Sequence, residues 1–193
     1  NTTTGSGNTA VGSRSLYENT TGVNTAVGFC AAGKTTTGTN NTVIGRCAGY
    51  LNETGSYNTA LGDHALHYNT ASSNTAVGRL AGYCTTTGSG NTAIGAAAMC
   101  ANTTGCCITA AGWNSLIANT TGCGNTAYGY ASGCCITTGD RNVALGSSAM
   151  VNTSSGSCNI AIGYVSMRCG TTGCNNVAIG SAAMHKITTG SHN

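Results

Sequence analysis

The sequence predicts an all-β fold, a parallel β-solenoid (β-roll) of about eleven rungs of 16–17 residues stapled by disulfides. Three observations carry this prediction. The phrase Asn-Thr-Ala-apolar-Gly recurs with starts at residues 8, 24, 41, 58, 74, 91, 108, 125, 142, 159 and 176, and a fixed short period is the mark of a solenoid. Glycine returns at two phases of the repeat, which punctuates the backbone twice per turn. Between the glycines lie many Thr, Val and Ile residues, which favour strand over helix. The repeats fill residues 8–192, with 1–7 the tail of a preceding repeat and Asn193 the opening of another, so residues 1–193 read as one domain. A start at Asn1 is expected for a mature product or a piece of a longer chain.

Numbering the positions of the repeat as columns justifies each part in order. Column 1 is Asn in ten of eleven repeats, Ile108 being the exception, and stacked Asn side chains are expected to form a ladder along the axis. Columns 2 to 4 read Thr-Ala-apolar, with columns 2 and 4 facing one way and column 3 the other. Columns 4 and 9 are expected to supply the large apolar side chains. Columns 5 and 15 carry the glycines, both expected at positive φ. Column 8 is always Ala or Ser. With so few large apolar groups per rung, the rod is expected to need backbone ladders with disulfides, or lateral association through flat Ala/Ser/Gly faces. The eleven charged residues fall only in columns 6, 7, 10, 11, 13, 16 and 17, the division expected of a coil with fixed inside and outside positions.

Composition excludes other classes. The chain holds 30 Gly, no Pro and 6% charged residues. Collagen would need Pro and Gly at every third position. Disorder by composition usually brings Pro, Glu and high net charge, whereas the net charge here is +3. That charge, thinly spread, gives no basic patch for nucleic acid. No apolar run is long enough for membrane insertion as a helix. No cofactor is implied.

Twelve cysteines point to an extracellular or cell-surface setting, or a virion fibre, where disulfides persist. Neighbouring rungs bring similar columns within bridging range, so the expected staples are Cys30–Cys47, Cys84–Cys100, Cys107–Cys123 and Cys158–Cys174. Cys106, Cys134, Cys135 and Cys169 are left for interchain bonds or, at 134–135, a vicinal bridge. A rival scheme closes one turn, as Cys100–Cys106 and Cys169–Cys174. Without C-x-x-C spacing, a zinc site is not expected.

No enzyme is expected, because no nucleophile, base and orienting group converge in the sequence. Asp63, His64 and His67 form the one D-H-x-x-H cluster, read first as a polar outer corner and second as a metal site; no metal is assigned. Phe29, Trp113, Tyr130 and Tyr164 in column 6 are candidate binding-surface aromatics, with Tyr17, Tyr50, Tyr68 and Tyr83 in columns 10 and 11. Asn-x-Ser/Thr sequons occur at Asn1, Asn19, Asn40, Asn52, Asn102, Asn119 and Asn152.

The phrases NTAVG-xx-S/A-L and NTTG, as in residues 8–22 and 91–105, resemble the head repeats of trimeric autotransporter adhesins. They also resemble the NTAxGxxAL/NTTG arrays of phage-type tail-fibre proteins. The resemblance implies a β-roll, usually a parallel homotrimer, in an extracellular fibre. The expected function is therefore that of a structural subunit of an extracellular or surface fibre, with an adhesive role open. Its partners would be copies of itself, as homotrimer or end-to-end filament, and surface glycans or a host receptor. The alternatives are a glycan-binding module or an ice-binding solenoid using Thr-x-Thr at Thr35/Thr37 and Thr85/Thr87.

Overall fold

The computed structural model describes residues 5–170, 172–186 and 189–193. Eleven three-residue strands follow in order: β1 (Thr9–Val11), β2 (Thr25–Val27), β3 (Thr42–Ile44), β4 (Thr59–Leu61), β5 (Thr75–Val77), β6 (Thr92–Ile94), β7 (Thr109–Ala111), β8 (Thr126–Tyr128), β9 (Val143–Leu145), β10 (Ile160–Ile162) and β11 (Val177–Ile179). They form one parallel sheet in sequence order. Each residue pairs with its repeat-mate, as Thr42 with Thr59 and Ile44 with Leu61. The fold is the parallel β-solenoid that the repeat predicts.

Only columns 2 to 4 are strand; the rest of each rung is turns. Ser15 N–H bonds the Gly12 carbonyl at 3.3 Å to close a turn over columns 5 to 8. Column 7 is left-handed within it, as at Cys30 (φ 55°) and His64 (φ 56°). Column 9 and the last residue of each rung are left-handed too, for example Leu66 (φ 49°) and Cys158 (φ 59°). Inter-rung bonds continue around these turns. Ala32 N–H reaches the Ala48 carbonyl at 2.9 Å, Lys34 N–H reaches that of Tyr50 at 2.9 Å, and Asn40 N–H that of Val23 at 2.9 Å. A proline would remove such a donor from nearly any part of the rung, which accounts for a chain without one.

The two glycine phases do different work. Column-5 glycines have φ from 120° to 139°, a region open to glycine alone. Column-15 glycines lie outside the left-handed region, against expectation, and are required by space. A Cβ at Gly38 or Gly139 would overlap the carbonyl oxygen of Gly55 or Gly156 on the next rung.

The interior corrects two further expectations. Column 4 faces outward: Val11, Ile44, Leu61, Ile94 and Ile179 are all exposed. The small residues expected on a lateral face are instead the core, with column 3 alanines from Ala26 to Ala178 buried against column 8 (Ala31, Ala48, Ser115, Ala149). Most rungs take their large apolar residue from column 9, as Leu16, Leu66, Met99, Leu116, Met150 and Met167; where column 9 is Gly133, Ile136 of column 12 fills the space, and the rung of Leu116 also buries Ile108. Where column 3 holds Val43, column 9 of the same rung holds Gly49, and a Cβ there would sit 3.3 Å from a Val43 methyl.

Column 1 forms the predicted ladder. Asn142 Oδ1 accepts the Asn159 backbone N–H at 3.0 Å, while its Nδ2 donates across the rung to the Gly156 carbonyl at 2.8 Å. The two 16-residue rungs preserve this closure. Asn58 Nδ2 bonds the Ala71 carbonyl at 2.8 Å, so Ala71 takes the place of the column-15 glycine. The missing residue is thus absorbed in the Thr-Thr turn.

Candidate functional site

With the interior filled by Ala, Asn, Leu, Met and Ile side chains, anything the rod recognises must be recognised on its outer faces. The broadest is the outer face of the sheet. Columns 2 and 4 alternate outward because column 3 is buried, and none of their positions carries a charge in any rung. Thr and Val, Ile or Leu therefore run in register along the whole rod, with Tyr128 among the most exposed. Ten rung spacings of about 4.8 Å give a strip about 48 Å long.

Along its border lie the column-6 aromatics. Phe29, Trp113, Tyr130 and Tyr164 are all exposed. They do not form one patch. Trp113 and Tyr130, on adjacent rungs, meet edge-on with centroids 5.5 Å apart, whereas Phe29 lies five rungs away and Ser147 separates Tyr130 from Tyr164.

The second face is the corner of columns 7, 10 and 11. Column 10 stacks Tyr50 on His67 (5.5 Å, 24°) and His67 on Tyr83 (5.3 Å, 22°). His67 Nδ1 bonds the Cys47 carbonyl at 3.0 Å, and burial pushes its pKa below 6.5, helped by nearby His64. Asp63 Oδ1 takes Arg46 Nε at 2.9 Å and His64 Nδ1 at 3.0 Å, with Arg79 Nε 3.9 Å from Oδ2. The Arg46 hydrogen bond holds the carboxyl below its usual 3.8 despite opposing desolvation. Asp63, His64 and His67 are thus committed to ion pairing, stacking and a backbone bond, and no metal-binding group of three is found among the described residues.

All twelve cysteines are free thiols in this structure, so none of the expected staples is formed. Three of the expected pairings also mismatch columns, Cys84 in column 11 against Cys100 in column 10 being the first. Cys107 and Cys158 occupy the exposed last position of their rungs, while Cys123 and Cys174 sit in column 16. In column 16 the neighbour of Cys123 is Cys106, with sulfurs 2.9 Å apart. This column is a ladder of side chains accepting backbone N–H groups. Asp140 Oδ1 accepts from Cys123 N–H at 2.7 Å, Ser157 Oγ from Asp140 N–H at 3.0 Å, and Ser191 Oγ from Cys174 N–H at 3.1 Å. The Cys123 and Cys174 sulfurs fill the same role toward Cys106 and Ser157. The recurrence of Ser, Thr, Cys and Asp in column 16 was the available sequence signal, hidden because cysteine invites a bridging interpretation.

Five thiols have raised pKa values: Cys47, Cys84, Cys100, Cys106 and Cys134. Cys30 and Cys47 share column 7, and burial raises the Cys47 pKa. Burial also raises Cys84 and Cys100, which meet at the column 10–11 corner. Cys106 is pushed up to about 11, first by its hydrogen bond to Cys123. Cys134 reaches about 11, first by burial and then by Cys135, whose sulfur lies 3.8 Å away. Thiols at such values supply little thiolate at neutral pH, so neither Cys106 nor Cys134 is an activated nucleophile. Cys169 is half-buried.

Column 12 overturns the Thr-x-Thr arrangement. Thr35 and Thr85 are buried, whereas Thr37 and Thr87 face outward, so each pair straddles the wall. The same inward column buries the sequons at Asn19, Asn52, Asn102 and Asn119, leaving Asn40 and Asn152 exposed. Asn1 lies outside the described residues.

No protein-family model, no curated protein and no solved structure matches this chain.

Proposed function

We propose that the chain is a structural, non-catalytic subunit of an extracellular or surface fibre, built by lateral association of its rods with copies of the same chain. The supporting observation is the uncharged outer face of β1–β11. A strip about 48 Å long and about 10 Å wide covers about 480 Å² in projection. Two copies would therefore bury roughly 1,000 Å², the size at which specific interfaces begin. A second copy also presents the same rung spacing, so apolar ridges stay matched along the whole length, as in stacked cross-β sheets. Resemblance to adhesin heads and tail-fibre arrays favours a parallel homotrimer, and the cysteine content favours an oxidising compartment.

Light scattering coupled to gel filtration, with negative-stain images, tests this reading. The wild-type chain is expected to be an elongated oligomer under both reducing and non-reducing conditions. Leu61→Lys combined with Ile94→Lys should yield a folded monomer. A wild-type chain that stays monomeric at tens of micromolar would remove the proposal.

A further inference from the structure

Cys106 and Cys123 stand in column 16 of adjacent rungs, and their sulfurs lie 2.9 Å apart, against 3.8 Å between the vicinal Cys134 and Cys135. Backbone groups hold the two residues together. Gly124 N–H bonds the Cys106 carbonyl at 2.9 Å, and Cys106 N–H bonds the Cys123 sulfur at 3.1 Å. Stacked rungs keep one column about 4.8 Å apart, inside the roughly 4.4–6.8 Å between Cα atoms that a disulfide spans. Small side-chain rotations therefore suffice to bring these sulfurs to bonding distance. Cys107 is placed differently. Its sulfur lies beside Gly90 of the preceding rung, 3.8 Å from where a Cβ would stand, while Cys123 belongs to the following rung.

The rung of Cys123, residues 108–124, is the one whose column 1 is not Asn. In the rung before it, Asn91 and Asn102 both donate to the Gly105 carbonyl, at 2.9 Å and 3.1 Å. At Gly122 the corresponding bond from Asn119 is kept, at 3.1 Å, but Ile108 has no amide to add to it. Cys123 is the next residue along, so a covalent link from it to Cys106 ties this less braced turn to the rung before.

We propose that Cys106 and Cys123 form a reversible inter-rung disulfide by exchange with a low-molecular-weight disulfide of the glutathione class. Cys123, as thiolate, attacks one sulfur of oxidised glutathione, which forms a mixed disulfide and releases one glutathione thiolate. Cys106 then loses its proton and attacks the Cys123 sulfur, which releases the second. The two protein thiols give up two electrons and two protons, and these turn one glutathione disulfide into two thiols. Cys106 donates its S–H to Cys123 and is pushed up to about 11, first by that hydrogen bond, so the opening attack falls to Cys123. Both residues are half-buried, within reach of a small molecule. The pair lies within one chain and does not depend on the fibre assembly.

Thiol mapping on the intact chain decides it. The reduced protein is incubated with oxidised glutathione at mildly alkaline pH, remaining thiols are alkylated, and chymotryptic peptides are sequenced by mass spectrometry; cleavage after Trp113 separates the two cysteines. A peptide pair joined through Cys106 and Cys123 is expected, and it should persist in Cys107→Ser. Column 16 carries serine at Ser56, Ser89, Ser157 and Ser191, so Cys106→Ser and Cys123→Ser keep the hydrogen-bonded ladder. The oxidised wild type should melt about 5 °C or more above the reduced chain, a shift that each of these two variants removes. The proposal fails if Cys123 is found joined to Cys107, or if Cys106 and Cys123 stay alkylated or stop as glutathione adducts. It fails equally if the cross-link forms without raising the melting temperature.

Discussion

A column-1 asparagine has work that no other side chain does. Asn142 accepts from Asn159 N–H and Nδ2, and donates to the Gly156 carbonyl and Asn125 Oδ1, all while fully buried. Aspartate lacks the donor and glutamine is too long. Asn142→Ala strands the Asn159 N–H and the Gly156 carbonyl, at about 1–3 kcal/mol for each orphaned group. A urea midpoint lowered by less than the equivalent of about 0.5 kcal/mol would contradict the ladder's role. His67 makes a second single-residue prediction. Its folded pKa is depressed below 6.5, chiefly by burial, so the unfolded chain takes up the proton first. Its contribution to stability is complete above about pH 6.5 and is lost as pH falls through the folded pKa. Asp63, also depressed, acts in the same direction at lower pH, below its ordinary 3.8. Melting temperature should therefore fall on acidification from pH 7 to 5, and His67→Phe should flatten that part of the profile. An unchanged profile in the variant would show that His67 is not responsible.

At the scale of the rung, the sequence announced the period, the strand and the inner ladder, because stacking forces each position to repeat its own chemistry. Column 4 was misleading, since Val, Ile and Leu in a strand ordinarily signal a core. Here the interior takes Ala at column 3 and, in most rungs, one larger group at column 9, and column 4 is turned out. Gly49 shows how tightly rung width is set, since it faces the one column-3 valine, Val43. Gly49→Leu should overpack this rung and destabilise it by about 1–3 kcal/mol. Adding Val43→Ala restores the common Ala/Leu pairing of Leu16 and Leu66 rungs and should recover most of the loss. Chemical denaturation of the four members of this double-mutant cycle measures the coupling. Additive effects would mean that the two side chains do not share the space.

At the scale of the whole rod, each rung contacts only its neighbours, so stability approximates a sum of rung and interface contributions. The weak step in that series is Ile108. Its backbone N–H donates to Asn91 Oδ1 at 3.0 Å, but an isoleucine has no side-chain oxygen to accept from Asn125. Removing residues 108–124, one complete rung, would join Cys107 to Asn125 and set Asn91 beneath Asn125 in the next rung. The deletion chain should fold, shorten by about 4.8 Å, and give up less stability than deletion of residues 142–158, which removes an unbroken ladder step. Removing only residues 108–116 leaves half a rung, puts column 1 over a turn and sends Ala and Asn side chains outward, so that chain should not form the rod. Small-angle scattering gives the length and urea denaturation the order of stabilities. If the two full-rung deletions cost the same, the Asn ladder does not decide how the rungs are joined, and the continuous backbone hydrogen bonding around the turns must do so instead.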